Sequence, residues 1–284
     1  MALVGCFVTP HPPIIVPEVG GAQLAEAQPT ARAMRELQAR AAALEPDTIV
    51  LLSPHAPLMR DRMGVSLASS YEGSLAYFRA PNVRVAASGD LEIAEAILAA
   101  AAERQVPAAL NASRGDVVDL DHGAIVPLVY IMGSLTKKPR LVLLGFSQLS
   151  LEQHVRFGEA IGRVLLDEPR RVLYVASSDL SHRLLAEGPY GFDPRGPQFD
   201  RAVADAFAAG DWKALGSIPG EIVAGAGECG YRSLMVLAGI VQMARSEGLH
   251  TENHLLSYEG PFGVGYLVGE VEVLKASHEQ GTAQ

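Results

Sequence analysis

The fold is decided by residues 48–57, which have the sequence TIVLLSPHAP. The stretch opens with a continuous apolar run, typical of a strand buried on both faces of a parallel sheet. Similar apolar runs occupy residues 2–9, 140–146 and 171–177, and helical composition occupies residues 23–44, 90–105, 151–166, 199–209 and 231–245. Residues 255–273 are expected to close the sheet. This alternation predicts the α/β class, as a single three-layer αβα domain with a mostly parallel central sheet.

The composition is that of a folded protein. The chain has 284 residues, of which 49% are hydrophobic and 19% are charged, and these values exclude intrinsic disorder. No linker, charge block or internal repeat divides the sequence. We therefore predict one domain over residues 1–275, followed by a flexible C-terminal tail over residues 276–284.

The net charge of −9 argues against binding to nucleic acid or to an anionic membrane, since both need a basic surface. The cysteines are Cys6 and Cys229 alone, too few for a disulfide framework. No Lys or Arg precedes Arg32, so a secretory signal is not expected. The apolar run over residues 140–146 is far shorter than the ~20 residues that span a membrane. These features predict a cytoplasmic protein.

Histidines follow the predicted strands. His11 lies in TPHPP, His55 in SPHAP and His182 in SSDLSH, each directly after an apolar run, and His122 precedes a helical stretch. Because the carboxyl ends of parallel strands meet at one edge of a sheet, we expect these imidazoles to converge there. The flanking prolines stiffen the loops that would aim them. His154, by contrast, is expected on a solvated helix face.

Converging imidazoles indicate a metal. Two neutral imidazoles and one carboxylate suit non-haem Fe(II). Glu228, in the small-residue stretch AGAGECG over residues 224–230, is the candidate carboxylate. Its neighbour Cys229 could bind instead as a thiolate, which would suit Zn, Cu(I) or Fe. Adjacent side chains rarely point the same way, so the fold must select one of them.

Five short motifs occur in a fixed order between residues 11 and 230: HPP, SPHAP, DHGAIVPL, SSDLSH and GECG. Together they resemble those of the class III (LigB-type) extradiol ring-cleavage dioxygenases and their Memo-like relatives. The closing stretch YEGPFGVGY, residues 258–266, looks most like the Memo-related proteins. The resemblance implies a LigB-like catalytic domain over residues 1–275.

The resemblance also implies site residues. His11, His55 and Glu228 would be the metal ligands. Two further family histidines line the catechol pocket, and they match His122 and His182. We expect His182 to act as acid and base and His122 to hold the substrate or oxygen. Asp179 is a candidate orienting partner.

The function implied by the resemblance is a non-haem Fe(II)-dependent extradiol dioxygenase, with Mn or Zn as alternative metals. It would cleave the ring of a small catechol-type aromatic with O₂, in aromatic compound catabolism. A homodimer or a small second subunit is the expected assembly. The alternative is a Memo-like metal-binding protein that lacks dioxygenase turnover and acts with a partner protein, which Cys229 as a ligand would favour.

Overall fold

The computed structural model describes residues 2–188 and 190–275, and its centre is an eight-stranded sheet. The strands are β1 (Leu3–Thr9), β2 (Thr48–Leu52), β3 (Met63–Ser66), β4 (Ser70–Leu75), β5 (Ala80–Ser88), β6 (Ala108–Ala112), β7 (Val117–Asp119), β8 (Arg140–Gly145), β9 (Val172–Ser177), β10 (His250–Glu259) and β11 (Tyr266–Leu274). The large sheet has the order β10-β11-β1-β9-β2-β8-β3-β6. Its central strands β1, β9, β2 and β8 are parallel, and the β10–β11 hairpin closes one edge in antiparallel pairing.

Strand β2 shows why the central runs are continuously apolar. All five of its residues are buried, because alternate side chains enter hydrophobic cores on opposite faces of the sheet. Val50 and Leu52 belong to one core, and Ile49 and Leu51 belong to the other. The predicted three-layer α/β architecture is confirmed.

Helices cover both faces. The helices are α1 (Pro17–Gly20), α2 (Gln28–Leu44), α3 (Leu91–Glu103), α4 (His122–Met132), α5 (Leu151–Asp167), α6 (Arg195–Ala208), α7 (Trp212–Leu215), α8 (Gly220–Ala226) and α9 (Tyr231–Ser246). Helices α3, α5, α6 and α9 pack on one core, while α2 and α4 pack on the other. Helices α5 and α9 approach closely because Gly158 and Gly239 face each other's backbone, where a side chain would overlap it.

Two predictions about helices need correction. The helix expected from residue 23 begins at Gln28, after a 3-10 segment over Gly21–Ala27. Pro29 sits in its first turn, where a missing N–H costs nothing. His154 is fully buried rather than solvated. Its Nδ1 lies 2.8 Å from the Ser150 carbonyl, and its Nε2 accepts a hydrogen bond from the Ser147 N–H at 3.4 Å. Both ring nitrogens therefore have hydrogen-bond partners on the buried face of α5.

The protein has a second, three-stranded sheet that the sequence patterns do not predict. It has the order β5-β4-β7 and packs on the same core as α2 and α4. A 3-10 turn over Ala76–Phe78 joins β4 to β5. This turn lies beside His122, with the Phe78 and His122 ring centroids 5.6 Å apart.

Two further expectations concern the limits of the chain. The tail predicted over residues 276–284 lies outside the described residues. That residues 1–275 form one domain stays a prediction. Among the described helices, none combines the length and the hydropathy required to cross a membrane.

Candidate metal and catalytic site

The predicted histidines meet at the carboxyl edge of the parallel strands. His11, His55 and His182 follow β1, β2 and β9, which are neighbours in the sheet, and His122 is the first residue of α4. The His11 and His55 ring centroids are 4.9 Å apart. His122 lies 4.3 Å from His55 and 5.8 Å from His11, again between centroids. Histidines that are far apart in sequence thus lie together in the folded chain.

The ring of His11 is held in one tautomer. Its Nδ1 lies 2.9 Å from Ser177 Oγ, and that hydroxyl donates its only hydrogen to the Gly123 carbonyl at 2.6 Å. Ser177 must therefore accept from His11, so Nδ1 carries the proton and Nε2 presents a lone pair. A metal-binding histidine is commonly oriented in this way by its second nitrogen.

His55 faces that lone pair, with its Nε2 3.1 Å from the His11 Nε2. Its loop is tied to the start of α4, because Ser53 Oγ accepts the His55 N–H at 3.2 Å and donates to Asp121 at 2.7 Å. Asp121 in turn caps α4 by accepting the Ala124 N–H. The cap therefore fixes His55 and His122 relative to each other.

Cys229 completes the cluster. Its Sγ lies 3.6 Å from His11 Nε2 and 3.6 Å from His182 Nε2. A tetrahedral metal about 2.1 Å from nitrogen and about 2.3 Å from sulfur would hold Cys229 Sγ and His11 Nε2 roughly 3.6 Å apart. Among the described residues, two groups with ligand atoms within 4.8 Å of one another share His11: one adds His55 and His122, and the other adds Asp179 and Cys229. The donor set fits a transition metal.

Glu228 lies elsewhere. Its Oε2 accepts the Tyr231 N–H at 2.6 Å, which caps the start of α9, and its side chain lines a separate pocket with Arg232. It belongs to neither group of candidate ligands among the described residues. Gly227, in the left-handed conformation with φ 63°, ends α8 and begins the turn. The two adjacent side chains therefore diverge, and Cys229 rather than Glu228 is the one that the structure brings to the histidines.

Asp179 orients His11. Its Oδ1 accepts the His11 backbone N–H at 2.8 Å, and its Oδ2 lies 3.5 Å from His11 Nε2. Burial raises the pKa of Asp179 to about 7. The sequence predicted Asp179 as an orienting partner, and the contact that it makes is with His11.

The electrostatics favour neutral ligands. Burial, reinforced by the neighbouring imidazoles, lowers the pKa of His11 well below its usual value. Burial also lowers the pKa of His55 and His122, and that of His182 to about 4. Burial raises the pKa of the Cys229 thiol, and the charges of Asp179 and Glu228 raise it further. Without a cation the imidazoles and the Cys229 thiol are therefore uncharged, and a metal would supply the charge that a thiolate needs.

Two aromatic side chains flank the histidines. Phe78 packs against His122, and the Tyr190 ring lies 5.1 Å from the His182 ring at an angle of 30°. Tyr190 is an exposed residue. Sequence reasoning missed Phe78 and Ser177. Ser177 stands in the SSDLSH motif and could have been found there, whereas no sequence pattern marks Phe78.

The parallel sheet with a histidine cluster at its carboxyl edge defines an α/β protein with a candidate metal centre. A family model described as the catalytic LigB subunit of aromatic ring-opening dioxygenase matches residues 5–269. The chain belongs to this family. Its enzymes are metal-dependent, and the described residues provide a candidate site for the metal.

Individual relatives add detail. Protein CA_C1420 of Clostridium acetobutylicum is 34% identical over 279 residues, which cover 96% of this chain and 58% of that protein. A 2,3-dihydroxyphenylpropionate/2,3-dihydroxicinnamic acid 1,2-dioxygenase of Rhodococcus globerulus is 27% identical over 99 residues, covering 34% of this chain and 32% of its own. A similarly named dioxygenase of Pseudomonas putida is 36% identical over 101 residues, covering 32% and 29%. The chain thus spans little more than half of the first relative and about a third of the others.

A solved structure supports the fold. The uncharacterized protein JW3007 from Escherichia coli K12 superimposes with a TM-score of 0.61, covering 94% of this chain and 99% of that one. The two sequences are 16% identical. This likeness concerns the fold alone.

Proposed function

We propose that this chain is a metal-dependent dioxygenase of the extradiol type, which cleaves the ring of a catechol-type aromatic with O₂. The observation that carries the proposal is the meeting of four imidazoles and one thiol at the carboxyl edge of the parallel sheet. The two relatives named as dioxygenases of dihydroxyphenyl acids support an aromatic diol as substrate. Fe(II) is the proposed metal, with Mn and Zn as alternatives.

His11, His55 and Cys229 would hold the metal around His11, which both candidate groups share and whose Nε2 lies 3.1 Å from His55 Nε2 and 3.6 Å from Cys229 Sγ. Cys229 takes the place first expected for Glu228, because its sulfur lies 3.6 Å from His11 Nε2 while the Glu228 carboxylate caps α9. When bound, the metal supplies Lewis acidity toward a phenolic oxygen and a template for the substrate and O₂.

The remaining histidines handle protons and position. Burial lowers the pKa of His182 to about 4 and keeps its ring neutral at pH 7, so it would accept a proton only from a phenol that the bound metal has made acidic. His122 is neutral for the same reason and lies between His55 and Phe78, where it would hold the substrate or dioxygen. Asp179 keeps the His11 backbone in place.

A second candidate function is a metal-binding protein without dioxygenase turnover that acts with a partner protein. The position of Cys229 favours it, since a thiolate replaces the carboxylate that suits an Fe(II) oxygenase site. Both candidates share the metal, and only turnover separates them.

Anaerobic reconstitution with Fe(II), followed by O₂ uptake against a panel of catechols, tests the proposal. We expect catechol-dependent uptake together with the absorbance of ring-opened semialdehydes. His182→Ala should lose uptake and keep the metal, whereas His250→Ala, at an exposed position on β10, should keep both. Tight metal binding without uptake on any catechol would favour the second candidate. Absence of metal binding would contradict both.

A further inference from the structure

A pocket of about 540 Å³ lies beside the turn that carries Cys229. Its walls come from α8, from the segment just before α8 and from the first residues of α5 and α9. None of the four imidazoles is among its described lining residues. The volume is within the range of about 300–1,000 Å³ that is usual for small-molecule sites. Much of the wall is apolar and is formed by Leu151, Ile218, Val223 and Tyr231.

The cation of this pocket is the Arg232 guanidinium, and it has no protein partner. Its Nε is buried and makes no hydrogen bond. In the described part of the chain, no carboxylate lies within ion-pair distance of the guanidinium, and no acceptor binds its Nη atoms. Arg232 as a whole is half-buried, so the Nη atoms are the donors that remain open to the pocket. A charge taken out of water is costly unless it is paired, and a ligand would supply the missing pair.

The ring of Phe146 supports this guanidinium. Arg232 Cζ lies over the ring, 5.8 Å from its centroid, and Phe146 directly follows β8. A cation–π contact of this kind favours one orientation of the guanidinium. A guanidinium held in that way presents two parallel N–H donors, which match the two oxygens of a carboxylate. The protein therefore supplies one half of a carboxylate-binding pair in advance.

The Glu228 carboxylate lines the same pocket, but it is engaged by α9. Its Oε2 accepts the Tyr231 N–H at 2.6 Å, and the start of a helix such as α9 favours a negative charge. Among the described residues Glu228 forms no ion pair with Arg232, so the guanidinium still lacks an anion in contact with it. The charge of Glu228 weakens the attraction of the pocket for an anion without cancelling it.

We propose that this pocket binds an organic carboxylate that has an apolar body. The carboxylate oxygens accept hydrogen bonds from the Arg232 Nη atoms, and the apolar body covers the wall formed by Leu151, Ile218 and Val223. A small inorganic anion would leave that wall uncovered. The site goes beyond the proposed function, because binding here requires no metal, no O₂ and no catechol.

Calorimetric titration of the full chain with four probes tests this inference. The probes are hexanoate, neutral hexanol, hexylammonium and acetate, and none of them carries an aromatic ring. We expect hexanoate to bind about tenfold more tightly than hexanol, because charge-assisted hydrogen bonds are the strong ones, and more tightly than hexylammonium. Acetate should bind at least about tenfold more weakly than hexanoate, since it lacks the apolar chain.

Variants of opposite sign locate the binding. Arg232→Gln should weaken hexanoate binding about tenfold and leave hexanol binding unchanged, which also shows that the pocket is still folded. Glu228→Gln should strengthen hexanoate binding about twofold, because it removes a like charge. Arg35→Gln, at an exposed position on α2, is the matched control and should change nothing.

The titrations are made on the metal-loaded chain and repeated after treatment with a chelator, and hexanoate should bind equally in both. Four results would overturn the inference. They are hexanoate binding no tighter than hexanol or hexylammonium binding, unchanged hexanoate binding in Arg232→Gln, hexanoate binding that chelation abolishes, and no saturable hexanoate binding up to about 10 mM. Catechol-dependent O₂ uptake is a separate measurement, so the proposed function and the carboxylate site stand or fall independently.

Discussion

Replacing Ser177 with alanine should weaken metal binding, although Ser177 is not itself a ligand. The Ser177 hydroxyl joins His11 Nδ1 to the Gly123 carbonyl at 2.9 and 2.6 Å. Its loss leaves both buried groups without this partner, at a cost of about 1–3 kcal/mol in the free energy of unfolding. It also frees the His11 ring to change tautomer. Loss of such an orienting group lowers metal affinity about 10–100-fold.

The assay is anaerobic competition for metal against a chromophoric chelator, paired with urea unfolding of each variant. Ser178→Ala is the matched control, because Ser178 is also fully buried but its hydroxyl has no hydrogen-bond partner among the described residues. We expect Ser178→Ala to keep wild-type affinity. If Ser177→Ala also kept it, or if both variants lost it equally, the role assigned to the Ser177 hydroxyl would be refuted.

Two further predictions concern the surroundings of the site. Gly230→Ala would place a methyl group against Ser178. We therefore expect the free energy of unfolding to fall by about 1–3 kcal/mol and metal binding to weaken. An unchanged result in the chelator competition would contradict the expected loss of metal affinity. Burial raises the pKa of Asp200 from 3.8 to about 6. The folded state therefore binds the proton of this carboxyl group more tightly than the unfolded state, and wild-type stability falls as pH rises through about 6. Asp200→Asn should therefore gain up to about 3 kcal/mol over wild type between pH 4 and 7 in urea unfolding, and a gain that is independent of pH would count against the assignment.

The fold and most of the site were accessible from sequence because they follow from strand burial. Strands buried on both faces leave continuous apolar runs, and the residue after each run lies at the ligand-binding edge. That reasoning alone predicts that His11, His55 and His182 lie together. His122 was found through its motif, since it precedes a helix rather than following a strand.

The choice between Glu228 and Cys229 could not be made from sequence. It depends on the left-handed turn at Gly227 and on the close approach of Gly230 to Ser178, which set the direction of two adjacent side chains. The small sheet was missed for a different reason. Its strands are short or partly exposed and contain Gly, Pro and charged residues, so no apolar run marks them. Phe78, on the turn within that sheet, was missed with it.

Cobalt(II) binding to wild type, Cys229→Ala and Glu228→Gln decides whether Cys229 or Glu228 is the metal ligand. A cysteine ligand gives a near-ultraviolet charge-transfer band, which wild type and Glu228→Gln should show and Cys229→Ala should lack. Structural zinc sites contribute about 10–16 kcal/mol over four ligands, so loss of one ligand should weaken binding by about 3 kcal/mol, or roughly 100-fold. A wild-type spectrum without the band, or affinity lost in Glu228→Gln and kept in Cys229→Ala, would contradict a metal site that contains Cys229.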